Sequence, residues 1–153
     1  MALRKILTDK DEVLHKVCRP VEKFDAKLAQ LLDDMHETLN KAQGVGLAGS
    51  QVGVCRRIFI MHLEEGNFEA INPEITLREG KQRVEEGCLS CPNIWGYVTR
   101  PMHCRLKAQD RNGNWWERDF TGLGAQCTAH EYDHLDGHVF TEIVEEFFVP
   151  REE

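Results

Sequence analysis

The sequence predicts an α+β fold, in which short strands, mixed or antiparallel, pack on a central helix and a second helix lies near the N-terminus. Helical spacing of apolar residues occurs before residue 44 and again after residue 122. The chain between these two segments is divided into short apolar runs. Strands that cluster between two helices, instead of alternating with them, are typical of α+β proteins.

Length and composition exclude several classes of protein. A chain of 153 residues fits one domain, and 41% hydrophobic with 29% charged residues is an ordinary globular balance. The formal net charge of −7 argues against a nucleic-acid or anionic-membrane binder. No apolar run approaches the roughly 18 residues of a membrane span, and no apolar export signal is visible. We expect a cytoplasmic protein with no membrane contact, while an organellar or viral-host location stays open.

The first predicted element is an amphipathic helix. Apolar residues recur near 3.6-residue spacing from Phe24 to Leu39. Asp25 is placed to cap the N-terminus of this helix, and Gly44 lies where the helix is expected to stop.

Short strands are predicted to follow. A buried strand should run over residues 56–63. Further strands are expected near 68–71, 75–78, 96–99, 102–109 and 115–120. Asp110-Arg-Asn-Gly113 has the composition of a hairpin turn between the last two strands. A second helix is predicted from Leu123 to about Asp136, ended by Gly137.

The second helix carries the most specific pattern, His130-Glu-Tyr-Asp-His134. Residues four apart are separated by about 400° of helix rotation, so the two histidines share one face and can bind one divalent metal ion. Glu131 lies beside that face, where it can move protons of a metal-bound water. The pattern is short and also arises by chance in helices with surface histidines, so by itself it leaves metal binding open.

A catalytic metal site needs a third protein ligand and an open position for water. Cys88 is the best candidate among six cysteines, because a thiolate with two imidazoles suits zinc or ferrous iron. Three alternatives stay open: a buried core cysteine, a closed Cys2His2 zinc site that adds Cys91, and a Cys88–Cys91 redox pair. The closed site would leave no role for Glu131.

The segment Gly44-Val-Gly-Leu-Ala-Gly49 formally matches the GxGxxG dinucleotide pattern. It follows a predicted helix and leads to a predicted strand, the reverse of the order that this pattern requires, so nucleotide binding is not expected. The glycines can instead allow close approach of the backbone to a ligand, with Gln51 donating a hydrogen bond to an oxyanion. A simple turn is the alternative.

These three segments, in this order, resemble the peptide deformylase family. Its motifs GxGLAAxQ, EGCLS and HExDHLxG correspond to GVGLAGSQ at 44–51, EGCLS at 86–90 and HEYDHLDG at 130–137. The second and third match in full, and the first departs at Gly49, where the family usually has Ala. The resemblance implies one catalytic domain over residues 1–153, without the long C-terminal helix of many bacterial members.

The resemblance also implies the activity, a metal-dependent amide hydrolysis that is a co-translational step of protein biosynthesis. The enzyme would remove the N-formyl group from the formyl-methionine of new polypeptides and release formate. Cys88, His130 and His134 would bind one divalent ion, natively Fe²⁺, although Zn²⁺, Ni²⁺ or Co²⁺ could occupy the site. Glu131 would activate the metal-bound water as a general base and then protonate the leaving amine.

The remaining roles are implied in the same way. Gln51 and the backbone N–H of Leu89 would stabilise the oxyanion, and the backbone of Gly46 would hold the formyl amide. Arg100 would pair with Glu86 as a structural support. The methionine side chain would lie among Val45, Glu86, Gly87, Leu123, Cys127 and His130.

Three further features depart from the family pattern. Trp95 stands where some relatives present an Arg to the substrate backbone, and Gln126 stands where an apolar residue is common. Residues 141–153 are acidic, with Glu142, Glu145, Glu146, Glu152 and Glu153 against Arg151 alone. Because this charge repels rRNA, we expect weak ribosome contact and no direct binding of nucleic acid.

Other functions remain compatible with these residues. A metallopeptidase or another amidase could use the same metal centre on a different acyl group. A non-enzymatic metal-binding protein would correspond to the closed Cys2His2 site, and a family member that has lost activity is the third possibility.

Overall fold

The computed structural model describes residues 2–150. They form two antiparallel sheets and two α-helices, which are joined by loops and short 3-10 helices. The helices are α1 (Ala26–Ala42) and α2 (Leu123–Leu135). The strands are β1 (Gly46–Ala48), β2 (Ile58–Leu63), β3 (Gly66–Glu79), β4 (Gln82–Cys88), β5 (Cys91–Arg100), β6 (His103–Gln109), β7 (Trp115–Thr121) and β8 (Glu146–Phe148). The α+β prediction is confirmed, and every pairing between these strands is antiparallel.

The two sheets flank the second helix. The larger sheet has the order β1-β2-β3-β6-β7, and the smaller has the order β4-β5-β8. Helix α2 contacts four strands of the larger sheet and β5 of the smaller one. The helix that carries the two histidines is therefore central, as expected from the sequence. Neither helix among residues 2–150 is long and apolar enough to cross a membrane.

Helix α1 begins where the sequence predicts. The Leu28 N–H donates to Asp25 Oδ1 at 3.0 Å, so the predicted N-cap is confirmed. The helix ends at Ala42, and Gln43, with φ of 56°, is its left-handed C-cap. The predicted stop at Gly44 is therefore one residue beyond the observed C-cap. Apolar residues of α1 pack on the larger sheet beside β1 and β2, and these are Leu28, Leu31, Leu32, Met35 and Leu39.

The predicted strands at 68–71 and 75–78 are one bent strand, β3. Its register with β6 shifts between Ile71 and Glu74, and Asn72 at the bend has φ of 51°. Asn72 Nδ2 donates to the Val21 carbonyl at 3.0 Å, and Asn72 Oδ1 accepts from the Val21 N–H at 2.8 Å. Asn tolerates this backbone conformation, and these bonds hold a bulge that interrupts the apolar pattern of the strand.

The remaining elements follow the sequence with local differences. The hairpin turn is confirmed, since Asp110 Oδ1 accepts the N–H groups of Asn112 and Asn114 at 2.9 and 3.0 Å. Helix α2 ends at Leu135, one residue before the predicted end. Strands β4 and β8 were not predicted. The only buried residue of β4 is the charged Glu86, and β8 has no buried residue, so neither gives a strong apolar signal.

The glycine-rich segment is more ordered than a simple turn. It forms β1 and then a short 3-10 helix over Gly49–Val52. A Cβ atom on Gly49 would lie 2.8 Å from the Val54 carbonyl oxygen, so the usual Ala of the family would force the backbone to shift here. The Gly49 departure therefore matches a close backbone contact that this chain makes.

Candidate metal centre

Three donor atoms converge where β4 ends against α2. Cys88 is the last residue of β4, while His130 and His134 lie one helical turn apart on α2. Each side chain offers one ligand atom, and all three atoms lie within 4.8 Å of one another. Cys88 Sγ is 3.4 Å from His134 Nε2. The fold thus brings together one sulfur and two imidazoles, a donor set that suits a single divalent metal ion.

Cys91 does not join this donor set. It is the first residue of β5, pairs with Cys88 across the strands, and is buried. Within residues 2–150, the group of donors close enough for one ion contains Cys88 but not Cys91. A three-ligand site with one position left open is therefore favoured over the closed Cys2His2 alternative.

The protonation states of these donors respond to their surroundings. A hydrogen bond with Cys91, burial and the Glu131 carboxyl raise the pKa of the Cys88 thiol. The thiolate therefore forms only when a bound cation compensates its charge. Burial and the neighbouring His130 hold the pKa of His134 well below its ordinary value. His134 is therefore neutral, which is the form that binds metal.

The Glu86 carboxylate fixes the orientation of His130. Glu86 Oε2 lies 2.7 Å from His130 Nδ1, so this nitrogen carries the proton and Nε2 is free to bind a metal. Burial lowers the pKa of His130, but Glu131 and Glu86 outweigh it and leave the pKa above its ordinary value. The sequence placed Glu86 near the methionine pocket, and the structure also makes it a partner of His130.

Arg100 holds Glu86 in turn. Its Nε and Nη2 atoms donate to the two carboxylate oxygens of Glu86 at 3.0 and 2.6 Å, and its Nη1 donates to Asp133 at 2.8 Å. Burial raises the pKa of Glu86, but hydrogen bonds from His130 and Arg100 outweigh this effect and lower it to about 2. Sequence reasoning missed Asp133, although it lies between the two histidines of the motif. Gln126 Nε2 also donates to Glu86, at 3.2 Å.

Glu131 is a buried carboxyl with an unpaired oxygen at the centre. Its Oε1 atom has no hydrogen-bond partner in the described structure, and Oε2 is 3.9 Å from His130 Nε2. Burial raises the pKa of Glu131 to about 7, the nearby charge of His130 opposes the shift, and Glu86 adds to it. A buried carboxyl oxygen needs a polar partner, so this orphan atom fits a site that takes up a metal ion and a water molecule.

Gly46 is required by close approach to Glu131. A Cβ atom at this position would lie 2.6 Å from Glu131 Oε2 and 2.8 Å from Cys127 Sγ. Any side chain here would displace the carboxyl group, so the backbone of β1 can line the site only because residue 46 is glycine.

Gln51 presents its amide nitrogen towards Cys88. Its Oε1 accepts the Ala48 N–H at 2.8 Å, which fixes the amide orientation. Its Nε2 donates to Ser90 Oγ at 3.0 Å and lies 3.6 Å from Cys88 Sγ. Sequence reasoning missed the role of Ser90, although it is part of the EGCLS motif. The Gln51 donor is thus held at the metal centre by the backbone and by Ser90.

A cavity of about 540 Å³ opens beside the donor atoms. Leu123, which is 56% exposed, and Val45 lie at its rim, while Cys127 is buried within it. Trp95, which the sequence marks as a departure, packs its ring over Gly87. Every residue that the sequence assigned to catalysis or to substrate binding lines the cavity, namely Val45, Gly46, Gln51, Glu86, Gly87, Leu89, Leu123, Cys127, His130 and Glu131. Asn93 and Ile94 line it as well and were not predicted.

Comparison with known proteins gives one family. A model of the polypeptide deformylase family matches residues 3–147. The peptide deformylase of Caldicellulosiruptor bescii is 51% identical over 147 residues, which cover 96% of this chain and 89% of that protein. The Chromobacterium violaceum peptide deformylase is 50% identical over 145 residues, covering 93% of this chain and 87% of that protein.

Solved structures agree with the sequence relatives. The peptide deformylase of Ehrlichia chaffeensis in complex with actinonin has a TM-score of 0.92 at 38% identity, covering 95% of this chain and 90% of that chain. The Thermotoga maritima peptide deformylase has a TM-score of 0.91 at 36% identity, covering 94% of this chain and 98% of that chain. The family model and these relatives cover more than nine-tenths of the chain, so this chain belongs to the peptide deformylase family.

Proposed function

We propose that Cys88, His130 and His134 hold one divalent metal ion, natively Fe²⁺, and that residues 1–153 act as one catalytic domain around it. The chain is a hydrolase of the peptide deformylase family, which removes the N-formyl group from nascent peptides. One observation carries the assignment of the site: three convergent donors lie beside a buried carboxyl group with an unpaired oxygen. That is the arrangement a metal-assisted hydrolysis needs.

The metal ion, when bound, supplies a Lewis acid for the formyl oxygen and acidifies water at neutral pH. Glu131 performs the proton transfers. Its Oε1 accepts a proton from the attacking water and passes it to the leaving amine nitrogen, so that the C–N bond breaks to give a free amine and formic acid, which loses its proton to become formate. Burial, which raises the pKa of this carboxyl, and its unpaired Oε1 atom suit a group that takes up a proton and then returns it.

Backbone and amide donors position the substrate in this proposal. Gln51 Nε2 and the Leu89 N–H stabilise the oxyanion, and the Gly46 backbone holds the formyl amide. The support for Gln51 is its fixed amide, whose nitrogen already faces Cys88. The support for Gly46 is its close approach to Glu131.

The methionine side chain of an N-formyl-methionyl peptide occupies the cavity beside the donors. An unbranched apolar side chain suits the apolar atoms that Val45, Leu123 and Cys127 contribute to it. Glu86 and Gly87 complete the wall on the β4 side. Arg100 supports this wall through its bidentate contact with Glu86 and does not contact the substrate.

The decisive experiment combines anaerobic purification, metal analysis and a formyl-Met peptide assay with and without a chelator. We expect iron at one equivalent and activity that the chelator abolishes. Cys88→Ser should lose the metal and the activity, whereas Cys91→Ser should keep both. Loss of metal in Cys91→Ser would instead support the closed Cys2His2 site. A panel of formyl, acetyl and internal-peptide substrates tests the amidase alternative, which requires turnover of the acetyl or internal substrate.

Ribosome contact is proposed to be weak. Glu142, Glu145 and Glu146 give the end of the described chain a negative charge, which repels rRNA. The predicted contribution of Arg151, Glu152 and Glu153 lies outside the described residues. Co-sedimentation with ribosomes at low salt should leave most of the protein in the supernatant, and tight binding would refute the proposal.

A cytoplasmic location is also proposed. All six cysteines are free thiols in the structure, which suits a reducing compartment. Cell fractionation with an antibody to the protein tests this location, and recovery with the membrane or outside the cell would contradict it.

A further inference from the structure

Two thiols outside the metal centre lie side by side. Cys18 Sγ and Cys55 Sγ are 3.6 Å apart. Cys18 is 3% exposed, whereas Cys55 is partly exposed. Neither residue belongs to the metal donors or to the lining of the substrate cavity. The pair therefore has no role in the proposed reaction and can react separately from Cys88.

The backbone holds these two residues in register. Arg19 and Arg56 form a parallel bridge, in which the Arg19 N–H donates to the Cys55 carbonyl at 3.1 Å and the Arg57 N–H donates to the Arg19 carbonyl at 2.8 Å. Cys18 and Cys55 are the residues immediately before the bridged pair. The 3.6 Å separation of their Sγ atoms shows that both thiols lie on the same side of this bridge. Neighbouring extended chains are about as far apart as the two Cα atoms of a disulfide.

We propose that Cys18 and Cys55 are a modification site, which low-molecular-weight disulfides oxidise to an intramolecular disulfide. The Cys55 thiolate attacks the small disulfide RSSR, forms a mixed Cys55–S–S–R bond and releases one thiol, RSH. The Cys18 thiolate then attacks the Cys55 sulfur, forms the Cys18–Cys55 bond and releases the second RSH. Two protein thiols are oxidised, one RSSR is reduced, and excess thiol reverses the reaction.

The difference in exposure between the two thiols sets the order of attack. Cys55 reaches solvent and therefore meets the oxidant first. Burial and contact with Cys55 raise the pKa of the Cys18 thiol to about 12, so Cys18 is a slow first nucleophile. Once Cys55 is in a mixed disulfide it carries no thiolate charge, and the 3.6 Å separation lets Cys18 complete the exchange.

The disulfide would fasten a segment that borders the active site. The Leu7 N–H donates to the Gln51 carbonyl at 2.7 Å, and the Cys18 N–H donates to the Leu135 carbonyl at the end of α2 at 2.8 Å. The bond would close a loop that contains α1 and β1. Because the metal donors are elsewhere, the oxidised holoenzyme should keep its metal and its activity.

The test treats the reduced, metal-loaded holoenzyme with glutathione disulfide and analyses it by intact mass and by non-reducing tryptic mapping. The wild type should lose the mass of two hydrogen atoms, with a link between tryptic peptides 17–23 and 42–56, which contain no other cysteine. Cys18→Ala should stop at a stable glutathione adduct on Cys55. Cys55→Ser, at a partly exposed position, should give neither product and keeps the test valid if Cys18→Ala does not fold.

Three outcomes would overturn the proposal. They are a stable adduct on Cys55 in the wild type with no link, a link of either residue to another cysteine, or a two-hydrogen loss that persists in both variants. A disulfide that fits the fold should also raise the Tm of the holoenzyme, by roughly 5–10 °C for a loop of this size. A lower Tm in the linked form would contradict the claim that the two residues are already in register.

Discussion

The metal centre and a second cluster around His36 and His62 each contain a pair of histidines with similar surroundings. In both pairs the ring centroids are 5.0 Å apart. One ring of each pair contacts a carboxylate at 2.7 Å, which is Glu86 for His130 and Glu69 for His36. An arginine also binds each carboxylate through two nitrogens, Arg100 in the first case and Arg111 in the second, and it reaches an aspartate as well.

The two pairs differ in where their free nitrogens point. His36 Nδ1 and His62 Nε2 lie 2.8 Å apart in nearly parallel rings, with 3° between the planes, so each nitrogen is the other's partner. The rings of His130 and His134 are inclined at 71°, and their free nitrogens face Cys88 instead. A histidine oriented by a carboxylate is therefore not enough to bring three donor atoms within reach of one ion. The remaining nitrogens must also converge on a third donor.

The largest expected effect comes from substitution of Glu131, a carboxyl group to which nothing in the second cluster corresponds. Glu131→Gln should retain the metal but lower kcat/KM for a formyl-Met peptide by about 10²–10⁴, because proton transfer is lost. Glu69→Gln makes the same chemical change in the second cluster, where this carboxyl corresponds to Glu86, and should leave the activity unchanged. Activity of Glu131→Gln within a few fold of the wild type would rule out the proposed role of this carboxyl.

The next largest effect on activity is expected from substitution of Gln51, the proposed oxyanion donor. Gln51→Ala should lower kcat by about 10²–10³ with the metal retained, since an oxyanion donor is removed. Ser90→Ala, which removes only the partner of the amide, should have a smaller effect. Unchanged activity in Gln51→Ala would remove the oxyanion role from the proposal.

Arg100 and Arg111 have similar contacts, and their substitution tests whether one affects metal affinity and the other only stability. Arg100→Ala should weaken metal affinity by about 10–100-fold, because Glu86 no longer holds His130 in place. Arg111→Ala should leave metal affinity unchanged and lower the free energy of unfolding by about 1 kcal/mol or less, as for a partly exposed ion pair. Metal titration and urea unfolding of both variants check this. Arg100→Lys, which keeps the charge, serves if Arg100→Ala does not fold.

The smallest effect concerns pH and the second cluster. Burial and the nearby charge of His36 hold the pKa of His62 below its ordinary value. The unfolded chain therefore binds a proton at His62 at a pH where the folded protein does not. Stability should fall as the pH drops below about 6.5 towards the folded pKa. His62→Gln should reduce this slope in urea unfolding between pH 5 and 8, and identical slopes in both proteins would contradict it.

The group of donors at the candidate metal centre was predictable, because Cys88, His130 and His134 lie in short motifs. HExxH places two donors on one helix face by helix geometry alone. The third donor belongs to a separate short motif, EGCLS. The supporting contacts were harder to predict. Glu86 binds His130 across 44 residues and Gln51 binds Ser90 across 39, and no local pattern encodes such distances. The roles of these residues in catalysis remain predictions until the variants are measured.

The fold was predictable where local rules operate. The Asp25 cap and the hairpin at Asp110 depend on neighbouring residues, and both are confirmed. The sequence predicts two strands where the structure has one, β3, because a bulge at Asn72 interrupts the apolar pattern. The bulge could not be predicted locally, since the residue that stabilises it, Val21, is 51 residues away. Strand β4 was missed because tertiary pairing with β5, rather than an apolar pattern of its own, holds it in the sheet.

The position of Cys88 has a consequence for how the protein unfolds. Cys88 belongs to the smaller sheet, whereas both histidines lie on α2, which packs on the larger sheet. An ion bound by all three would thus act as a cross-link between the two halves of the molecule. Free metal at about 100 times its dissociation constant would add about 2.7 kcal/mol to the free energy of unfolding. Metal starvation in the cell would therefore lower the amount of folded enzyme as well as its turnover, and a melting curve would report metal occupancy without any substrate.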